Sequence, residues 1–410
     1  MARIRRKKTA FARYKETRDG KDYLEYTRTR NAAKADTQRA VREYEKEIAR
    51  LSKRNPKAFY RHVNSKVKTR IGISEIRSNQ GVMINDDQQK ADEFNKFFSS
   101  VFTMEDLENV PSTTVNGVRE TLHQVEIREI DVLNLLSNLQ TEKSPGPDNV
   151  HPTILKECAS ELARPLTILF QTSEREGCIP QEWKEALVVP IFKKGSRAQV
   201  GNYRPVSLTS VCCKIMEKLM RRALINHMLD NKFLSDSQHG FIQGRSCTTQ
   251  LLRVVDRLTE ILDKGGTADM VYLDFAKAFD TVPHKRLLVK LEGYGVEGRT
   301  LKWIEQFLVG RTRRQRVGVA GSFSEWSEVV SGVPQGSVLG PVLFVCYIND
   351  LPEAISSIIH MYADDTKLFR QVDDDIDRKE LQEDLDRLAS WAHEWQLHLM
   401  LKNARSCILD

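Results

Sequence analysis

Three aspartates stand where divalent-metal chemistry would need them. In Val271-Tyr272-Leu273-Asp274-Phe275-Ala276-Lys277-Ala278-Phe279-Asp280 an apolar run leads straight into Asp274. Alternation along a strand puts Asp274 on the face of Tyr272 and opposite Leu273. Ninety residues later, apolar stretches flank Tyr362-Ala363-Asp364-Asp365, which reads as a β-hairpin with two adjacent carboxylates at its turn. Adjacent carboxylates repel unless a cation lies between them, and a divalent ion is the natural neutraliser. Oxygen ligands without His or Cys suit Mg2+, with Mn2+ as the alternative. Two such ions about 3.5–4 Å apart can activate a 3′-hydroxyl and stabilise a leaving pyrophosphate. An Asp-Asp hairpin turn by itself is more often ordinary turn chemistry.

The rest of the chain must position these groups. Its 410 residues allow two or more domains and a large core. The balance of 40% hydrophobic and 29% charged residues is that of a soluble globular protein. The longest apolar run, near 341–348, is far short of the roughly 20 residues of a bilayer span. The basic N-terminus lacks the apolar stretch of a secretory signal. No membrane is expected, and the nucleus and cytoplasm are the expected compartments. Seven cysteines without a Cys-x-x-Cys pair argue against a disulfide framework and a structural zinc site. The net charge of +7 is uneven. Residues 1–70 hold 23 Lys/Arg and 8 Asp/Glu, a net of +15, so the other 340 sum to −8. Such an arm suggests a polyanionic partner, or else a solvated tail.

Residues 1–35 carry basic clusters with little apolar periodicity. From Asp36, a plausible N-cap, Val41, Tyr44, Ile48 and Leu51 predict a helix ending near Pro56. Phe94, Phe97, Phe98, Val101 and Phe102 form a second stripe, and 104–119 reads as a linker. After about 125, helices (208–229, 249–262) alternate with short strands (188–192, broken by Pro190; 268–273; 356–362). This predicts an α+β fold with a basic, partly helical region over 1–124 and a main domain over 125–410. Neither Gly-x-Gly-x-x-Gly nor a P-loop pattern occurs.

Further motifs run in a fixed order. They are Lys143-Ser144-Pro145-Gly146-Pro147-Asp148, Pro190-Ile191-Phe192-Lys193-Lys194-Gly195, Asn202-Tyr203-Arg204-Pro205-Val206-Ser207-Leu208, Gln238-His239-Gly240-Phe241 and Gly332-Val333-Pro334-Gln335-Gly336-Ser337-Val338-Leu339-Gly340-Pro341. With the two aspartate motifs they resemble the reverse transcriptases of non-LTR retrotransposons, LINE-like elements of the jockey and CR1 types, over about residues 35–400. The resemblance implies a right-hand polymerase fingers and palm with a helical basic N-terminal extension. It implies RNA-directed DNA polymerase activity on an RNA template, a DNA primer or target end and dNTPs. Asp274, Asp364 and Asp365 would hold two Mg2+ ions, with the Phe275 carbonyl as a further ligand. Phe279 falls at the steric-gate position that selects deoxynucleotides; an ordinary core aromatic is the alternative. Gln335 and Gly336 would line the incoming nucleotide, or form a simple surface turn. Lys193, Lys194 and Arg204 would clamp the triphosphate, Arg204 best by its bidentate geometry, though the lysines could be solvated. The segment 144–148 would contact template, or be a loop.

Group II intron maturases share the palm motifs, but the fingers motifs favour the LINE-like group. A relic that binds RNA without processive synthesis is the other alternative. After Trp395 the family pattern of an asparagine followed by lysines fits loosely. Lys402 and Arg405 are the candidates for its general acid, and an arginine donates a proton poorly. The family's thumb would follow Asp365, and 45 residues remain. A truncated copy lacking thumb and endonuclease is the expectation.

Overall fold

The computed structural model describes residues 2–52, 59, 62–63, 72–78, 80–113, 117–309, 314–400 and 405–409. They form two compact units, Met1–Ile71 and Gly72–Asp410.

The first unit contains the helices Ala2–Thr17 and Gly20–Leu51. Helix thus begins at Ala2, well before the Asp36 start expected from periodicity. The second helix starts after Asp19, whose side chain accepts the Lys21 N–H. An aromatic seam joins the two: Phe11 against Tyr26 at 5.0 Å and Tyr14 against Tyr23 at 5.1 Å. Asp36 lies mid-helix, paired with Arg3 at 3.1 Å. Four rings crossing a tight turn leave no long stripe along either helix, which is why 1–35 looks aperiodic.

The second unit is α+β. Its strands in chain order are β1 (Ile76–Arg77), β2 (Met83–Ile84), β3 (Glu185–Phe192), β4 (Tyr203–Leu208), β5 (Ala268–Leu273), β6 (Arg314–Val319), β7 (Ser322–Phe323), β8 (Ser327–Glu328), β9 (Ile358–Tyr362), β10 (Asp365–Gln371) and β11 (Arg405–Leu409). The boundary expected at 124 falls inside this unit. Its sheet-bearing body already includes helix Asp87–Ser100, whose Phe94 and Phe98 pack on Val188, Tyr203 and Val317. The stretch expected to be a linker is strapped down. Buried Arg286 donates to the carbonyls of Asp106, Asn109 and Glu394, and Glu105 accepts the Lys285 and Arg286 amides.

One sheet has the order β4-β3-β6-β7, with β8 on β6. β3 runs unbroken through Pro190, which lies opposite Pro205. The Lys193 N–H donates to Asn202 at 2.8 Å. Alternation therefore makes Pro190–Pro205 a non-hydrogen-bonded pair, where neither missing N–H is needed by the partner strand. The other sheet has the order β11-β5-β10-β9. One face of it (Val271, Leu273, Ile359, Met361, Leu368) joins the main core with Leu343, Phe344 and Tyr347 of helix Gly340–Ile348. The other face meets helix Cys247–Asp263 through Met270, Phe369 and Val254.

Candidate active site

Strand pairing assembles the three aspartates. β10 pairs with β9 on one side and β5 on the other, so the β9–β10 turn lies beside the end of β5. Tyr362 and Asp365 are the last paired residues, leaving Ala363-Asp364 as a two-residue turn. Asp274 follows Leu273, the partner of Thr366. Two bonds of 2.8 Å hold the chain there: Met400 N–H to the Asp274 carbonyl and Ala276 N–H to the His398 carbonyl. This bridge between Phe275 and Leu399 uses the carbonyls of Asp274 and His398 and does not engage that of Phe275.

Asp274 and Asp364 are half-buried and Asp365 is exposed. Burial raises the Asp364 carboxyl above its ordinary range, and the charges of Asp365 and Asp274 raise it further, while Lys193 opposes them. Such a trio is relieved by a cation. Among the described residues, no three His, Cys, Asp or Glu side chains already converge as a closed ion cage. The donor set itself fits a hard divalent ion: three carboxylates, all oxygen, in mutual repulsion. An open cleft beside them is lined by Cys247, Gln250, Tyr272, Tyr362 and Lys367.

A second group of residues faces the edge of β4. The Ser207 N–H donates to the Gln335 carbonyl at 2.7 Å. Gly336 has φ +110°, and a Cβ there would lie 2.6 Å from the Ser207 carbonyl oxygen, so no other residue fits. The Gln335 amide donates to both Asp280 oxygens at 3.0 Å. Downstream, the fully buried Glu217 accepts the amides of Val338 and Leu339 at 2.6 and 3.0 Å. Burial pushes the Asp280 carboxyl up to about 6, against the pull of Gln335 and Lys277. Burial also lowers Lys277, opposed by Asp280 and reinforced by Lys193 and Arg204. Lys193, Arg204, Lys277 and Asp280 therefore share one electrostatic neighbourhood, and Lys193 links it to Asp364.

Lys194 lies exposed in the loop after β3. Phe279 is half-buried, stacked on Phe344 at 4.6 Å and edge-on to Phe241 at 6.1 Å. In the segment 144–148, a Cβ on Gly146 would lie 2.6 Å from the Thr209 carbonyl oxygen, so this loop is nested against the end of β4. Lys402 lies outside the described residues, and Arg405 opens β11. Sequence reading overlooked Lys277, Asp280 and Glu217. The first two are charged residues inside a conspicuous apolar motif, which was a usable signal. Glu217 sits in a largely buried helix, Val211–Asp230, and carried none.

Residues 191–404 match the reverse transcriptase (RNA-dependent DNA polymerase) domain. The chain is 31% identical over 287 residues to the RNA-directed DNA polymerase from mobile element jockey of Drosophila melanogaster, covering 68% of this chain and 31% of that protein. It is 29% identical over 349 residues to the probable RNA-directed DNA polymerase from transposon BS of the same organism, covering 78% and 37%. The Pol polyprotein from type-1 retrotransposable element R1 of Bradysia coprophila is 28% identical over 275 residues, covering 65% and 26%. The chain spans about a third of the length of the first two relatives. The two sheets are accordingly those of polymerase fingers and palm, and the chain belongs to the reverse transcriptase family, alongside the polymerases of non-LTR retrotransposons.

Proposed function

We propose that this chain carries out RNA-directed DNA synthesis, adding dNTPs to a primer 3′-hydroxyl on an RNA template. The observation that carries this reading is the β5–β10–β9 pairing that brings Asp274 beside Asp364 and Asp365, with Lys193 reaching the same field. Two Mg2+ or Mn2+ ions held by these carboxylates and the Phe275 carbonyl would lower the pKa of the attacking hydroxyl and neutralise charge on the departing pyrophosphate. Arg204 and Lys193, with Lys277 behind them, would bind the triphosphate. Gln335, anchored by Asp280, and Gly336 would form the floor under the nucleotide. Phe279, immobilised on Phe344, would meet the sugar and disfavour a 2′-hydroxyl. Lys194, exposed in the loop after β3, would add charge at the entrance.

The outward face of the fingers sheet supports an RNA partner. Arg204 shares it with Ile191, and Leu187 lies opposite both Leu208 and Arg316. Arg316 stacks over Phe323 and Trp326 at 4.5 and 4.7 Å, and Arg314 over Trp326 at 4.6 Å. Cations interleaved with flat rings suit a single-stranded nucleic acid.

The test is primer extension on an RNA template with Mg2+, comparing the chain with Asp364→Asn. The variant is expected to lose several kcal/mol of transition-state stabilisation, a fall on the order of 10³-fold. Equal incorporation by both proteins would sink the assignment.

A further inference from the structure

The motif Gln238-His239-Gly240-Phe241 has no part in the chemistry above, yet it is built against the turn that carries Asp364. Gln238 is fully buried. Its side-chain carbonyl accepts two backbone N–H groups, from Gly240 at 2.7 Å and from Ala363 at 3.0 Å. Ala363 is the first residue of the Ala363-Asp364 turn and has φ +53°, a left-handed conformation that a non-glycine residue holds only with support. The backbone adds to that support: His239 N–H donates to Met361 at 2.9 Å, and Met361 N–H to Ser237 at 2.8 Å. Gly240 is pressed against the same turn. A Cβ on it would lie 2.5 Å from the Ala363 nitrogen.

The brace is itself anchored. Arg245 Nη1 donates to the carbonyls of Ser235 and Gln238 at 2.6 and 2.7 Å, and Arg245 Nη2 to Asp236 at 2.8 Å. Arg253 reaches the Asp236 carbonyl at 3.0 Å. The Gln238 Nε2 is buried without a hydrogen-bond partner. A glutamine buried in such a place, with half its amide unpaired, acts there through its carbonyl.

We infer that Gln238 is a positioning residue: by accepting the Ala363 N–H it fixes the left-handed turn, and so fixes where the Asp364 and Asp365 carboxylates point. The role of those carboxylates rests on the polymerase reading; the brace itself does not. Gln238→Met keeps the size and removes the acceptor. Gln238→Asn keeps the amide and withdraws its carbonyl by one methylene. Gln238→Glu keeps an acceptor in place. Three readouts decide. Hydrogen exchange of the Ala363 amide should speed up about tenfold in the Met and Asn variants and stay slow in Glu. Mn2+ binding, followed by the free-ion EPR signal without nucleotide, should weaken about tenfold in Met and Asn and be retained in Glu. In primer extension, kcat should fall in Met and Asn while the KM for dNTP stays near that of the parent. Thermal midpoints close to the parent in at least one of the two would separate positioning from general destabilisation. Unchanged Ala363 exchange in both Met and Asn overturns the proposal, as does loss of all three readouts in Glu as well. If Asp364→Asn leaves Mn2+ binding intact, the polymerase reading fails, while the exchange arm still decides the role of Gln238.

Discussion

Asp280 offers the sharpest test of the nucleotide-side geometry. Its carboxyl is held at about 6 by burial, against an ordinary value of 3.8, although Gln335 donates to both oxygens and Lys277 lies close. The folded state therefore binds this proton more tightly than the unfolded chain does. For a raised carboxyl the cost of ionisation is absent below pH 3.8, grows as pH rises toward 6, and is fully present above it. The rise from 3.8 to about 6 corresponds to roughly 3 kcal/mol in all. Between pH 7.5 and 5 the relief is on the order of 1 kcal/mol, since the folded group becomes mostly protonated while the unfolded one stays ionised. Asp280→Asn has no such proton, and Gln335 can turn its amide to give the asparagine a carbonyl oxygen. Urea unfolding of both proteins at pH 7.5, 6 and 5 should show the parent gaining on the order of 1 kcal/mol on the variant as pH falls. Taking the difference cancels groups common to both, such as His360, which burial lowers to about 4. Parallel stability curves would refute the placement of a half-buried, ionisable Asp280 under Gln335.

Other consequences can be checked separately. Arg286→Ala removes the side-chain ion pair with Glu105 and frees three buried-strap carbonyls, so it should cost about 3 kcal/mol; limited proteolysis within 104–109 should appear first, and resistance there would count against the strap. Lys290, nearly fully buried, pairs with Asp350 and lies 3.7 Å from the Trp395 ring centroid and 4.6 Å from that of Trp391. Burial lowers it to about 8, so the unfolded chain binds more protons above that value, and this group's contribution to stability should rise from pH 8 toward 10. Lys290→Met should flatten that rise in urea titrations, and an unaltered slope would exclude the assignment. For the basic arm, RNA affinity should fall with salt along a log–log slope that becomes shallower when residues 1–71 are deleted; an identical slope would make the arm a bystander.

The aspartate trio was legible because its signals are local. A strand that ends in Asp274 and a hairpin that turns at Ala363-Asp364 are both written in short windows, and the family motifs supplied the pairing. What escaped depends on distant neighbours. Gln238 meets Ala363 across 125 residues of chain, and nothing in its own window announces that contact. Lys277 and Arg204 come together only when the edge of β4 docks on the Gln335 loop. Pro190 looked like a strand breaker because its tolerance depends on the register with Pro205. The helix before Asp36 left no signal because ring-on-ring contact across a tight turn leaves no stripe of period 3.6 to count.

The contact of Ser237 and His239 with Met361 has a bearing on solubility. β9 ends the palm sheet, and an end strand offers unused N–H and C=O groups to any extended peptide. Here both outward groups of Met361 are already taken by the chain's own backbone, next to the turn where two carboxylates stand side by side. A second copy cannot zip onto that end of the sheet without first displacing the brace, and the like charges of the two turns would oppose it. The residues that pack on the turn therefore also cap that end of the edge strand.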